Sequence, residues 1–372
     1  MLIGALGVRL ILWAGPTIPL PAPPGVMKSL TRLTVTNDSQ GQDGFQFTLT
    51  LGKTLLGDFG TISDGTFDPM RRVVIAVLMG ATPEVLVDGL VTHLQVAPSG
   101  EPGQSTMTVT GKDVSQAMDL AERNTDYPNQ PDAVIVSRLV EGYPQYGLVP
   151  NPTPTTDVPI MLQRIPRQQE TDLHYIRRLA RRNGYVFYVE PVSFGVNRAY
   201  FGPETRVGQP QPALTQGLGP AANVTSLNFT NDALAPVGTH GTFVDPVFKL
   251  PIPIPTLPSL RLPPLSHSPA IAYRTVQLRA TAKENPGRAA TAAVAAITDA
   301  PEAIEGTGEL DGARYGSVLR ARRLVGVRGA GTSYDGFYWV KRVTHTITPG
   351  SYTQSFSLSR DGTGALLPAV VP

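Results

Sequence analysis

Five histidines, His93, His174, His240, His267 and His345, are the first residues to question, because imidazole serves both as a metal ligand and as a proton carrier near neutral pH. They are scattered. None belongs to an HExxH motif or to an i, i+4 pair that would put two ring nitrogens on one helix face. His93 and His345 fall in β-rich runs, where a histidine held by local hydrogen bonds is expected rather than a ligand. Serines are plentiful, but no G-x-S-x-G elbow precedes a helix, so a hydrolase triad has no nucleophile to build on. Gly103 to Asp113 ends in Gly-Lys-Asp at the wrong spacing for a P-loop, and Gly326, Gly329 and Gly331 form a GxxGxG that misses the dinucleotide fingerprint. Both are read as turns. The carboxylate pairs Asp299 with Glu302 and Glu305 with Glu309 have the residue types for acid–base work on a glycan, but nothing around them promises the apolar pocket that would split their pKa values. No catalytic, cofactor-binding or metal-binding residue is assigned.

Composition narrows the classes further. The chain has 372 residues, 41% of them hydrophobic and only 16% charged, so cores are affordable and part of the surface is expected to meet other subunits. Zero cysteines exclude disulfides, thiolate metal sites and a Cys nucleophile, and give no support for an oxidising compartment. A cytoplasmic assembly site is the simple expectation. Lys and Arg number 31 against 29 Asp and Glu, a net charge of +2 that does not suggest a general nucleic-acid binder. No stretch reaches the roughly 18 apolar residues of a membrane helix. The run Met1 to Ala14 resembles a signal peptide at first sight, yet it lacks a basic start and carries Arg9, Gly4 and Gly7. A first strand over Val8 to Trp13 is the alternative, followed by a spacer rich in proline through Pro24.

The 37 glycines and 36 prolines point to many short strands. From Ser29 to Thr110 the pattern predicts strands over Leu30–Thr36, Gly44–Leu51, Arg72–Met79, Leu86–Val96 and Ser105–Thr110. Phe45, Phe47, Leu49 and Leu51 alternate with Gln46, Thr48 and Thr50, which places one set on a buried face. The middle is helical in part: a short helix over Val114–Arg123, a second from Pro131 to Glu141, a Pro- and Thr-rich loop over Tyr143–Asp157, and a third helix from Glu170 to Gly184 with an apolar stripe of Leu173, Ile176, Leu179 and Ala180. Arg177, Arg178, Arg181 and Arg182 crowd the end of that helix, either as a solvated face favoured by the dipole or as a contact for an acidic neighbour. A hairpin follows, Tyr185–Glu190 with Arg198–Phe201. The second β region begins near Val224 with Ser226–Thr230 and Gly238–Phe243. It is interrupted by the Pro-rich Phe248–Pro269, which either lies over its own domain or reaches a neighbouring subunit as an arm. An Ala-rich helix runs from Pro286 to Ile297, and strands over Arg320–Val327, Gly336–Ile347 and Tyr352–Ser359 close the chain.

The run Arg167-Gln-Gln-Glu-Thr-Asp-Leu-His-Tyr-Ile-Arg-Arg-Leu-Ala-Arg-Arg-Asn-Gly-Tyr-Val-Phe-Tyr-Val189 resembles a segment of baseplate hub proteins in which a glutamine-rich lead enters a helix ending in Asn-Gly before an aromatic strand. Asp335 to Ile347, continued by Gly350 to Leu358, is similar to the closing hairpin of the same family. Leu86 to Thr92 leading to Thr108–Asp113 is a weaker likeness to the end of its first barrel. The family comprises the late control D proteins of phages, the T-even phage hub and the first part of type VI secretion spike proteins. The resemblance implies a mainly β fold with an α insert, built as two tube-like antiparallel β-barrels per chain. The expected division is an N-terminal strand and spacer over 1–28, a first barrel over 29–110, a helix-containing insert over 111–222 and a second barrel over 223–372, the last carrying the excursion 248–269 and the helix 286–298. It further implies a homotrimer whose pseudo-sixfold ring joins a hexameric tail tube to a trimeric spike, beside other baseplate subunits. A spike on a separate polypeptide is expected, because the sequence ends at Pro372 soon after the last hairpin.

Overall fold

Alternation of apolar and polar residues sets the first strands. In β1 (Val8–Gly15), Val8, Leu10, Leu12 and Ala14 are buried on one face, while on the other Arg9 is exposed and half-buried Ile11 and Trp13 pack against Val74, Ala76 and Val85. The computed structural model describes residues 7–52, 59–80, 82–101, 103–155, 157–161, 164–244, 250–254, 259–278 and 286–366. After β1 come β2 (Leu20–Pro21), α1 (Pro24–Ser29), β3 (Leu30–Asp38), β4 (Gly44–Thr50), the single turn α2 (Gly60–Ser63), β5 (Arg72–Met79), β6 (Pro83–Ala97) and β7 (Thr106–Asp113). The strand expected over Val8–Trp13 therefore forms, paired along its length with β5. The proline stretch is not a plain spacer: Leu20–Pro21 pairs with β1, and Pro24 opens a helix at the position where its missing N–H is harmless.

The insert opens differently from the expected helix. Val114–Asp119 is a 3₁₀ turn capped by Asp113, and Glu122–Asp126 is a strand, β8, so no α-helix spans Val114–Arg123. Its side chains are mostly exposed and its partner is β10 (Arg167–Thr171), a pairing that only the tertiary fold supplies. Between them lie α3 (Asp132–Glu141) and β9 (Leu148–Pro152); β9 occupies part of the expected loop Tyr143–Asp157 and runs parallel to Asn197–Phe201. Helix α4 (Asp172–Asn183) forms as its signals require: Thr171 accepts from the His174 amide at the start, and Gly184 ends it at φ +65°. Then come β11 (Val186–Ser193) and β12 (Val196–Gly202), the expected hairpin.

The last part holds β13 (Gln211–Thr215), β14 (Val224–Asn231), β15 (Val237–His240), β16 (Thr242–Val244), β17 (Pro251–Pro253), β18 (Ser266–Pro269), β19 (Arg274–Gln277), α5 (Pro286–Asp299), β20 (Ile304–Asp311), α6 (Gly312–Tyr315), β21 (Leu324–Arg328), β22 (Gly336–Thr348), β23 (Ser351–Arg360) and β24 (Gly362–Ala365). Part of the excursion Phe248–Pro269 lies outside the described residues. Its end lies over its own half: β18 pairs with β24, and the Leu265 and Ser266 amides donate to Asp361.

One 13-stranded sheet runs in the order β14-β20-β23-β22-β3-β4-β7-β6-β5-β1-β2, with β13 and β21 branching from β22. Strand β22 joins its halves. Gly336–Trp339 pairs with β21 and Arg342–Ile347 with β3, and a register shift between Val340 and Arg342 bends the strand where the partner changes. Each half wraps its own core. Leu33, Phe47, Ile75, Leu86 and Val109 belong to the first, and Ile304, Val325, Tyr338, Val343 and Leu358 to the second. The insert has a third core around Met118, Ile135, Ile176 and Phe201. Each such side chain contributes roughly 1.5–3 kcal/mol on burial.

Candidate functional site

The two halves and the insert meet at one guanidinium. Arg322 precedes β21 at φ +64°. Its Nη1 donates to Asp43 Oδ2 at 3.1 Å, Nη2 donates to Asp43 Oδ1, and Nε donates to the Asp38 carbonyl at 3.0 Å. The Tyr188 ring of the insert lies 4.1 Å from the guanidinium carbon. Asp43, in the turn between β3 and β4, also accepts from Asn37 Nδ2 at 2.8 Å and from the Asp38 amide at 2.9 Å. Burial works against the charge on Arg322, and the Asp43 carboxylate outweighs it, holding the guanidinium pKa above its ordinary value. Asp113, at the end of β7, accepts from the Asp43 amide and the Ser115 amide. Burial, and after it the Asp43 charge, push its carboxyl up to about 6.

A cleft of about 480 Å³ opens beside this joint, with walls from all three parts. Trp13 and Phe194 pack with ring centroids 4.7 Å apart. Two of its arginines are paired with carboxylates of the same walls: Arg320 with Glu84 at 2.9 Å, and Arg198 with Glu190. Two more clasps tie the insert down. Arg72 grips Asp88 through two hydrogen bonds and Asn197 donates to the same carboxylate, while buried Arg206 is held by Glu204 and Glu302. Carboxylates engaged by guanidinium and amide donors in this way hold elements together.

The residues singled out in the sequence do not converge. Glu302 accepts two hydrogen bonds from Arg206, whereas Asp299 belongs to another cleft. Glu305 and Glu309 lie along β20, with Lys341 3.5 Å from Glu305. His345 is buried with Nδ1 2.9 Å from the Tyr352 hydroxyl, His174 stands 3.7 Å from Asp119, and His93, His240 and His267 are exposed. Gly111 to Asp113 are the end of β7 and not a turn; Gly329 and Gly331 do turn the chain, at φ +85° and +86°. Among the described residues no group of three His, Cys, Asp or Glu is placed to hold a metal ion. Nor is any helix among them long and apolar enough to cross a membrane. The joint of Asp43, Asp113 and Arg322 carried no local motif, because its partners are brought together only by the sheet.

The sequence matches no protein-family model and no curated protein. The structure does have counterparts. A 43 kDa tail protein of prophage MuSo2 from Shewanella oneidensis superposes over 96% of this chain and 99% of its own, at TM-score 0.63 and 15% identity. The chain has the fold of a phage tail protein. A tail protein from Neisseria meningitidis MC58 covers 96% and 98% of the two chains at TM-score 0.62 and 14% identity. The tail-protein fold extends to the E. coli c3393 protein, a type VI secretion component described as similar to the T4 tail proteins gp27 and gp5, which covers 92% of this chain and 77% of its own at TM-score 0.55 and 13% identity.

Proposed function

We propose that the chain is the structural hub of a contractile tail or injection-system baseplate, a homotrimer whose pseudo-sixfold ring joins a hexameric tail tube to a trimeric spike. The observation that carries this reading is the division of the sheet at β22 into halves that each wrap a core, β3-β4-β7-β6-β5-β1 on one side and β14-β20-β23-β22-β21-β13 on the other. Two alike barrel-like units per chain let three chains offer six near-equivalent contacts, a match that closed symmetry otherwise forbids. Strand β13 lies before residue 223 and still pairs into the second half, so that unit takes in the end of the insert's sequence. Whole-length likeness to tail proteins supports the role, and the use of buried carboxylates to clasp one element to another supports a structural task.

Exposed apolar side chains support an oligomer. Leu234, Leu250, Ile271 and Tyr273, all on the second half, are 61 to 69% exposed. The assembly is tested by native mass measurement with an end-on electron-microscope image of the purified protein. A mass three times 39.7 kDa with a six-lobed outline is expected; a monomer at micromolar concentration, or a trimer without six lobes, overturns the proposal.

A further inference from the structure

The four arginines of α4 divide into two pairs with different fates. Arg178 donates to Glu170 at 2.6 Å and lies over the Tyr175 ring, and Arg182 is paired with Asp132. Arg177 and Arg181, one helical turn apart, instead face a separate cleft of about 640 Å³ walled by the insert, the first half and, at Asp299, the end of α5. Lys112 at the end of β7 and His174 join them there. Among the described residues, no carboxylate forms an ion pair with Lys112, Arg177 or Arg181. The acids nearby are Asp119, 3.7 Å from His174 and engaged by the Thr171 hydroxyl, and Asp299, whose carboxyl is raised by burial while Arg261 and Arg181 pull the other way.

We infer that this cleft docks a carboxylate-bearing segment of another polypeptide, with Arg177, Arg181 and Lys112 as its cationic contacts. Guanidiniums spaced i, i+4 on one face suit successive carboxylates, and Arg binds carboxylate in a bidentate fork. Nucleic acid fits less well. Tyr185, the aromatic at the wall, donates its hydroxyl to the Pro154 carbonyl and packs edge-on to Phe201, so it is not a free stacking platform. A net charge of +2 also provides no basic track beyond the cleft. The inference goes beyond the hub reading and does not depend on it: a monomer and a trimer would both carry this cleft.

The test is fluorescence anisotropy of the full chain with a labelled decapeptide of alternating Glu and Ser at low salt. Saturable binding that weakens at least about tenfold in Arg177→Gln/Arg181→Gln is expected, with an unchanged melting temperature. The control Arg9→Gln/Arg32→Gln removes the same charge elsewhere and should leave affinity within about twofold. Should the double variant fail to fold, Lys112→Gln on β7 carries the test, with a loss of about threefold or more expected. No saturable binding, an equal loss in the control, or a single-stranded oligonucleotide of equal charge binding more tightly through the same arginines overturns the inference.

Discussion

Arg322 and Asp43 stand 279 positions apart in the chain, and the guanidinium of one meets both carboxylate oxygens of the other in a site closed to solvent. This pair fixes the second half of the sheet to the turn between β3 and β4. Removing one partner leaves a buried charge uncompensated, which typically costs about 3–5 kcal/mol. Arg322→Met is therefore expected to lower the unfolding free energy by that amount in urea titration. Arg322→Met/Asp43→Leu removes both charges and should recover part of the loss; a single variant within about 1 kcal/mol of wild type would show that the joint does not hold the halves.

Asp113 gives the joint a pH dependence whose sign is set by burial. Its folded pKa of about 6 lies above the ordinary 3.8, so the native state holds the proton more tightly across that window. Its stabilising contribution is full below about pH 4 and is lost as pH rises through about 6, by up to roughly 3 kcal/mol at about 1.4 kcal/mol per pKa unit. Other carboxylates act in the opposite sense. Glu302 is held below its ordinary value: burial raises it, but Arg206 outweighs burial. The measurement is accordingly a difference, wild type minus Asp113→Asn, in unfolding free energy from pH 4 to pH 7. That difference is expected to fall with pH, and a flat one would mean that Asp113 does not titrate in the window.

Much of the fold was legible because its signals are local. Phe45, Phe47 and Leu49 are buried where their alternation placed them, and Thr171 and Gly184 cap α4 as residues of their type do. What escaped depends on partners far along the chain. Strand β20 reads Ile304-Glu-Gly-Thr-Gly-Glu-Leu-Asp311, a poor strand by composition, and its glycines make sense only in the sheet: a Cβ on Gly306 would stand 2.9 Å from the Phe229 ring, and one on Gly308 2.6 Å from the Phe356 ring. Polar β8 likewise exists because β10 lies beside it. The candidate joint was the least visible part, since Asp43, Asp113 and Arg322 are unremarkable until β22 brings the halves together.

His345 should remain neutral far below the usual range of imidazole. Burial, with a smaller contribution from Arg320, lowers its pKa to about 3, and Nδ1 keeps the Tyr352 hydroxyl as its partner. A depressed folded pKa means stability present above about 6.5 and lost as pH falls toward 3, opposite in sign to Asp113 over an overlapping window. Imidazole-labelled NMR is expected to show one resonance, absent in His345→Gln, that does not move between pH 8 and pH 5. A midpoint near 6 for that resonance would place His345 in contact with water.

Gly111 in β7 tests how tightly the first half is packed. It sits opposite Phe45 on β4 and Val91 on β6. A Cβ there would lie 2.2 Å from the Phe45 ring and 2.5 Å from the Leu90 carbonyl oxygen, both far inside contact distance. Its backbone is not left-handed, so the requirement is for space alone. Gly111→Ala must displace a buried ring and also shift β6, and overpacking of this kind costs about 1–3 kcal/mol or more. A loss at the upper end of that range is expected in urea titration. Adding Phe45→Leu frees the ring side of the clash but leaves the Leu90 carbonyl in place, so the two changes should be less than additive while stability stays below wild type. Strict additivity would show that Phe45 does not crowd Gly111, and a neutral Gly111→Ala would show that β4, β6 and β7 approach each other less closely than this packing requires.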